Sequence, residues 1–257
     1  MIELDAHGRS LPEAYHKALK NLQGWGTVVE DKSHHTRCRE CAMTMVVLEP
    51  LREPMISRCV PCVPAALEQY RMEMLDGIMD FCVGHGWDYT YHDRMVNWSG
   101  VYYTVTDQVG FVVNELRENP SSRRAVIDVR NNFEDTNSND PACLQHIQYF
   151  IRDGKLDCSV LFRSNDAVKA TYMNAFALIM LQKRIADKLG VEVGTYTHRA
   201  NSFHAYERDW ALLKSYVERI DSKVDLTYDF VGDWDEQMLE ARPEILRKVA
   251  ELREQKT

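Results

Sequence analysis

Apolar residues recur along this chain at two periods, and the switches between them outline its elements. Tyr15, Ala18, Leu19 and Leu22 repeat at helical spacing behind Ser10, Pro12 and Glu13, a capping-box start, so a first helix is expected over 11–22. Residues 41–49 (CAMTMVVLE) and 54–58 (PMISR) read as two strands around Pro50, and Pro64 opens an amphipathic helix, AALEQYRMEMLDGIMDF. From Gly84 to Tyr103 the chain is rich in glycine and aromatics and has no clean period, which marks a site-forming loop. VGFVVNELREN, behind Asp107, predicts a helix that stops before Pro120.

A strand (RAVIDVR) and a polar loop (NNFEDTNSNDP) follow. LQHIQYFIRDGKLDCSVLFRS then predicts a hairpin turning at Asp153-Gly154. TYMNAFALIMLQKRIADKLG is the strongest helical signal and ends on Gly190 as a C-cap. A strand near 193–199, a helix over about 206–220 and a charged helical tail from about 243 complete the outline. No internal repeat or low-complexity linker interrupts it, so residues 1–257 are expected to form one α+β domain.

Composition narrows the class. With 257 residues, 45% hydrophobic and 27% charged, the chain has enough apolar material for a large core. No stretch approaches the roughly 20 apolar residues of a membrane span, and the N-terminus lacks a signal-peptide pattern, so a cytoplasmic protein with no membrane partner is expected. The net charge of −8 argues against a general nucleic-acid surface, although a few local arginines suffice for a small anion. Seven cysteines in such a chain read as thiols, metal ligands or a nucleophile rather than a disulfide framework.

Four blocks carry chemistry: SSRR at 121–124, PACLQHIQYFIRDGKL at 141–156, RSNDAVKATYMNA at 163–175 and NSFHAY at 201–206. In their order and spacing they resemble the thymidylate synthase superfamily, while the part before residue 100 matches only loosely. The resemblance implies a mixed β-sheet packed with helices around a long buried central helix, and a sheet-mediated homodimer. It also implies transfer of a one-carbon unit from 5,10-methylenetetrahydrofolate to C5 of a pyrimidine 2′-deoxynucleoside monophosphate. Pyrimidine C5 is a poor nucleophile until a thiolate adds at C6 and makes it enolate-like. Cys143 occupies the place of that thiolate, with Arg163 as the cation that lowers its pKa.

The same likeness makes Arg163, Arg123 and Arg124 phosphate ligands, the paired arginines reaching in from the partner subunit, with Ser164 adding a hydroxyl and Lys32 a mobile N-terminal contact. Asn174 stands where the base is read. An amide suits O4 and N3–H of uracil, whereas related viral dCMP hydroxymethylases carry Asp, which favours dUMP over dCMP or a ribonucleotide. His204 and Tyr206 match the pair on the sugar 3′-hydroxyl, Asp166 the pterin contact and Tyr91 an active-site tyrosine. The proton-relaying glutamate is Glu73 by its local pattern or Glu68 by counting from the preceding loop.

Two features depart from that pattern. Cys38, Cys41, Cys59 and Cys62 form a CxxC…CxxC pair, and a hairpin over 38–62 turning at Pro50 would gather them into a structural zinc site, with free thiols as the alternative. The chain also ends in ARPEILRKVAELREQKT, a charged helix in place of a short apolar tail that closes over folate. Shielding the exocyclic methylene from water gives a methyl product and admitting water gives hydroxymethyl; the tail, RSND and QYFIRD lean toward hydroxymethylation, with thymidylate formation open. A zinc-bearing interaction protein that keeps the fold without the activity is the rival from another class.

Overall fold

The computed structural model describes residues 1–99 and 105–256, so residues 100–104 of the aromatic stretch lie outside the described residues. The chain opens with β1 (Glu3–Gly8), α1 (Leu11–Trp25), β2 (Thr27–Asp31) and β3 (Thr36–Val47). Ser10 Oγ accepts the Glu13 amide at 3.4 Å, and the Glu13 carboxylate accepts the Arg9 amide at 2.8 Å, so the capping box forms with its return arm displaced by one residue. The predicted stripe of Tyr15, Ala18, Leu19 and Leu22 is buried, and α1 packs it on β1 and β3.

Next come β4 (Ile56–Ser57), α2 (Pro64–Asp76), α3 (Tyr91–Val96), β5 (Trp98–Ser99), β6 (Val105–Thr106), α4 (Gln108–Glu118), β7 (Val126–Asp128) and α5 (Asn132–Asp135). The polar loop thus contains one short helix, capped by the Asn131 side chain, which accepts the Phe133 amide at 3.1 Å. The expected hairpin is β8 (Leu144–Arg152) and β9 (Lys155–Phe162), turning at Asp153 and Gly154 with positive φ of 51° and 74°. It is followed by β10 (Asn165–Asp166), α6 (Thr171–Leu189), β11 (Glu192–Tyr206), α7 (Trp210–Asp221), β12 (Thr227–Tyr228) and α8 (Asp235–Lys256).

One mixed sheet organises these pieces in the order β1-β3-β11-β9-β8-β7, with β2 on β3 and β10 on β11. β11 runs seven residues beyond the expected 199 because β3 pairs with it out to Tyr206, opposite Cys38. That ladder carries the polar run Arg199 to His204, whose composition alone gives no strand signal. β3 begins earlier than expected for the same reason, with β2 pairing along Thr36 to Glu40. α7 starts later than expected and α8 earlier, continuing through Pro243.

The hairpin expected at Pro50 does not form. β3 pairs with β1, β2 and β11, while the segment after Pro50 keeps only β4, which pairs with β12 through Ile56 and Tyr228. Strand geometry separates the cysteines further. Residues three apart on a strand point to opposite faces, so Cys41 joins the apolar core with Met43 and Met45 while Cys38 does not. Cys38 instead donates to Asp31 Oδ2 at 3.9 Å. Cys59 lies in the core and Cys62 packs against it. The zinc expectation for Cys38, Cys41, Cys59 and Cys62 is therefore corrected: among the described residues no group of three or more His, Cys, Asp or Glu is placed to hold a metal.

Ala175, Phe176, Ala177, Leu178 and Ile179 of α6 are all buried, so this half of the helix is enclosed around its circumference, while Lys183, Asp187 and Lys188 expose one side of the C-terminal half. Gly190 closes it at φ 69°, as expected of a C-cap. A smaller cluster of Met72, Met79, Cys82, Ile245 and Val249 joins α8 to α2 and the turn behind it. Truncating Phe176 to Ala empties a fully buried ring site; urea unfolding should give a loss of about 3–5 kcal/mol.

Candidate active site

Cys143 ends the loop that leads into β8 and is partly buried. Arg163, just past the end of β9, holds this loop with two guanidinium donors: Nε to the Ala142 carbonyl at 3.0 Å and Nη2 to the Pro141 carbonyl at 2.6 Å. Its own amide donates to the Cys143 carbonyl at 2.8 Å. Burial raises the Cys143 thiol above its ordinary pKa, the Arg163 guanidinium pulls it down, and Asp140 pushes it up. On the far side, the Tyr91 hydroxyl accepts the Leu144 amide at 3.3 Å.

Cavities flank this loop. The first, of about 540 Å³, is lined by Tyr70, Glu73, Trp87, Asp88, Tyr89 and Asp140, with Tyr91 in its wall. Burial raises the phenols of Tyr70, Tyr89 and Tyr91, and the nearby Cys143 raises each of them further. The second, of about 490 Å³, brings Lys32, Arg163, Ser164, His204 and Tyr206 together. His204 and Tyr206 share a side of β11 as their i, i+2 spacing requires, their rings edge to face with centroids 4.8 Å apart. Ser164 Oγ lies 3.5 Å from His204 Nδ1.

Asn174, on the first turn of α6, is 4% exposed, and its Oδ1 accepts a hydrogen bond from the Tyr70 hydroxyl. That bond leaves the Nδ2 donor as the amide's remaining polar group. Asp166 accepts the Val168 and Lys169 amides, both at 2.9 Å, with one carboxylate oxygen. It therefore shapes the turn into α6 as well as standing beside His204 in the sheet.

The two candidate glutamates part company. Glu68 is 1% exposed and is gripped by Arg71, at 2.8 and 2.7 Å, and by Arg242 at 2.5 Å. Those guanidinium contacts are what a carboxylate at such depth requires. Glu73 lines the first cavity, accepts one bond from Gln69 at 2.9 Å, and has its pKa raised by burial. A carboxyl held above its usual range retains its proton nearer neutrality, as an acid–base group needs.

Arg123 and Arg124 stand apart from both cavities. Arg124 pairs with Glu115 at 3.0 Å and is largely exposed, and Arg123 lines a separate groove with Pro120, Ser121 and Arg152. Tyr70, Trp87, Tyr89 and Asp140 were not among the sequence candidates. Tyr70, one helical turn before Glu73, and the aromatic density around Trp87 were the available signals.

Comparison with known proteins decides the family. The thymidylate synthase family profile matches residues 67–230, from the first turn of α2 to just past β12. The chain belongs to the thymidylate synthase family. A protein named "Putative thymidylate synthase" from Methanocaldococcus jannaschii is 32% identical over 215 residues, covering 80% of this chain and 93% of that relative. One of the same name from Methanosarcina barkeri is 30% identical over 214 residues, covering 82% and 94%. Thymidylate synthase 1 of Bacillus spizizenii is 31% identical over 163 residues, covering 60% of this chain and 57% of its own. Membership makes this thymidylate synthase relative an enzyme of one-carbon transfer to a pyrimidine nucleotide, in a family that uses methylenetetrahydrofolate. The cysteine pairs at 38–62 precede the matched region. Among the described residues no helix is long and apolar enough to cross a membrane.

The opposed charges beside the sulfur give a direct test. Asp140→Asn should move the pH midpoint of Cys143 alkylation by iodoacetamide downward and Arg163→Met should move it upward, with Cys143→Ser identifying the site of labelling.

Proposed function

We propose that the protein transfers a one-carbon unit to C5 of dUMP, with Cys143 as nucleophile. The observation that carries the reading is that Cys143 neighbours Arg163, which lines the cavity with Lys32, and also Asp140, Tyr70, Tyr89 and Tyr91, which line the cavity with Glu73. In the first, which Glu30, Asp31 and Glu40 also line, Lys32, Arg163 and Ser164 are the groups for a phosphate, and His204 and Tyr206 those for the sugar 3′-hydroxyl. The base then lies over Cys143, whose sulfur forms a bond to C6 as the C5–C6 double bond opens.

Asn174 supports uracil as the base. With Oδ1 occupied by Tyr70, the Nδ2 donor suits the O4 acceptor of uracil and conflicts with the N4 amino donor of cytosine. Glu73 then receives the proton lost from C5, through water, and Tyr91 braces the loop that carries the sulfur. 5,10-Methylenetetrahydrofolate, or a donor built like it, would supply the carbon when bound; the family likeness makes Asp166, which stands beside His204, its pterin contact. The charged face of α8, with its Arg–Glu and Lys–Glu pairs, favours water near the exocyclic methylene and a 5-hydroxymethyl product over a methyl one.

Arg123 and Arg124 enter this scheme through a homodimer, each reaching the phosphate of the other subunit. Phe150 and Leu161, on the sheet face away from α6, stay partly exposed and suit a sheet-to-sheet contact. Mixing inactive Cys143→Ser with inactive Arg124→Ala should restore activity, because one of the two shared sites in a hybrid dimer is intact. Silent mixtures would reject the shared site.

Incubation with C5-tritiated dUMP and methylenetetrahydrofolate should release the label and yield a product heavier by the hydroxymethyl group. Cys143→Ser should abolish release, and Glu73→Gln should lower kcat by about 10²–10⁴-fold. Glu68→Gln should instead lower stability. Release by the serine variant, or better use of dCMP than dUMP, would reject the proposal.

A further inference from the structure

The cavity on the Glu73 side has a charge that sits poorly with a folate tail. Three carboxylates line it, those of Glu73, Asp88 and Asp140, and among the described residues that line it none is Lys, Arg or His. The loops that carry Asp88 and Asp140 are linked. Ser138 Oγ donates to Asp88 Oδ2 at 2.5 Å and accepts the Asp140 amide at 2.9 Å, so one hydroxyl ties the aromatic loop to the loop that carries Cys143.

Two cations stand close by, Lys256 beside the lining residue Gly86 at the rim and Arg94 behind the wall. Lys256 donates to the His85 carbonyl at 2.6 Å, and Arg94, 4% exposed, pairs with Asp135 and Glu134 at 2.9 Å each. The remaining wall is aromatic: Trp87, 41% exposed, and Tyr89 offer ring faces to a flat ligand. About 540 Å³ is room for a pterin and an aryl ring.

Resting on the reading above, we propose that this cavity selects a one-carbon donor whose aryl end carries no carboxylate: a methylene-bearing reduced pterin with a neutral or cationic tail, in preference to glutamate-bearing folate. A nucleotide seated with its phosphate at Lys32 and Arg163 leaves the Glu73 side as the approach for the donor. A reduced pterin is rich in N–H donors, so carboxylates would suit its ring. A glutamate tail brings two further negative charges along the same wall and meets Asp88 and Asp140. Both are exposed, so repulsion is screened and the discrimination is modest, salt-dependent and measurable.

The test compares three ligands in the presence of dUMP: tetrahydropteroyl amide, in which a neutral carboxamide replaces the glutamate, tetrahydrofolate, and its pentaglutamate. Tryptophan fluorescence quenching gives the affinities, and Trp87→Phe identifies the reporting ring. Affinity should fall about tenfold from the amide to the monoglutamate, and further for the pentaglutamate. Asp88→Asn combined with Asp140→Asn should shrink the gap while retaining binding of the amide, and about 0.5 M salt should flatten it.

Equal affinities, tighter binding with each added glutamate, or no quenching by any of the three would overturn the proposal. Tritium release from dUMP with the methylene forms reads the two ideas separately. Release at the same KM for the amide and the folate upholds the reaction and rejects the selection. Selective binding without release upholds the selection and rejects the reaction.

Discussion

Arg163 is bonded to the backbone at Pro141, Ala142 and Cys143, and the rest of the site depends on that clamp. A reactive sulfur at the end of a loop is useful only if its position is fixed, and loops lack the ladder of bonds that fixes a strand. Here the guanidinium fork supplies the missing partners to two carbonyls and leaves its charge beside the sulfur. One side chain thereby positions Cys143, opposes the upward shift that burial gives its thiol, and lines the cavity that holds Lys32, Ser164 and His204. The hairpin of β8 and β9 makes this possible, because Arg163 and Cys143 stand at its two open ends.

The second constraint is the buried helix. The N-terminal half of α6 is buried on every side, which fixes Asn174 at its first turn and brings Tyr70 of α2 onto it, while Lys183, Asp187 and Lys188 leave one side of its C-terminal half exposed. α2 is itself held from behind by Glu68, whose buried carboxylate is matched by Arg71 and Arg242. This accounts for two glutamates on one helix with opposite fates. Five residues apart, they project from different faces of α2, one into an ion-paired interface with α8 and the other into the cavity.

Much of the fold was legible because local patterns carry it. The capping box, the Asp153-Gly154 turn, the period of α6 and the Gly190 cap each follow from a few adjacent residues. β11 was legible only in part, since its polar half becomes strand through pairing with β3 rather than through its own composition. The cysteine pairs misled for a related reason. CxxC spacing gathers thiols when the segment turns, but β3 is a continuous strand through Cys38 and Cys41, and alternation sends those two sulfurs to opposite faces.

Sequence alone pointed to the class of chemistry, one-carbon transfer to a pyrimidine nucleotide, because a cysteine, an arginine, an asparagine and a His-x-Tyr pair stand in an order that resembles the thymidylate synthase family. It could not choose between Glu68 and Glu73, since both fit a helix and burial is a property of the packed chain. Nor could it group Asp88, Ser138 and Asp140, which belong to loops far apart in the chain. Those outcomes were decided by tertiary structure, because charge and proton affinity at a site depend on which distant side chains share the space and how much water remains.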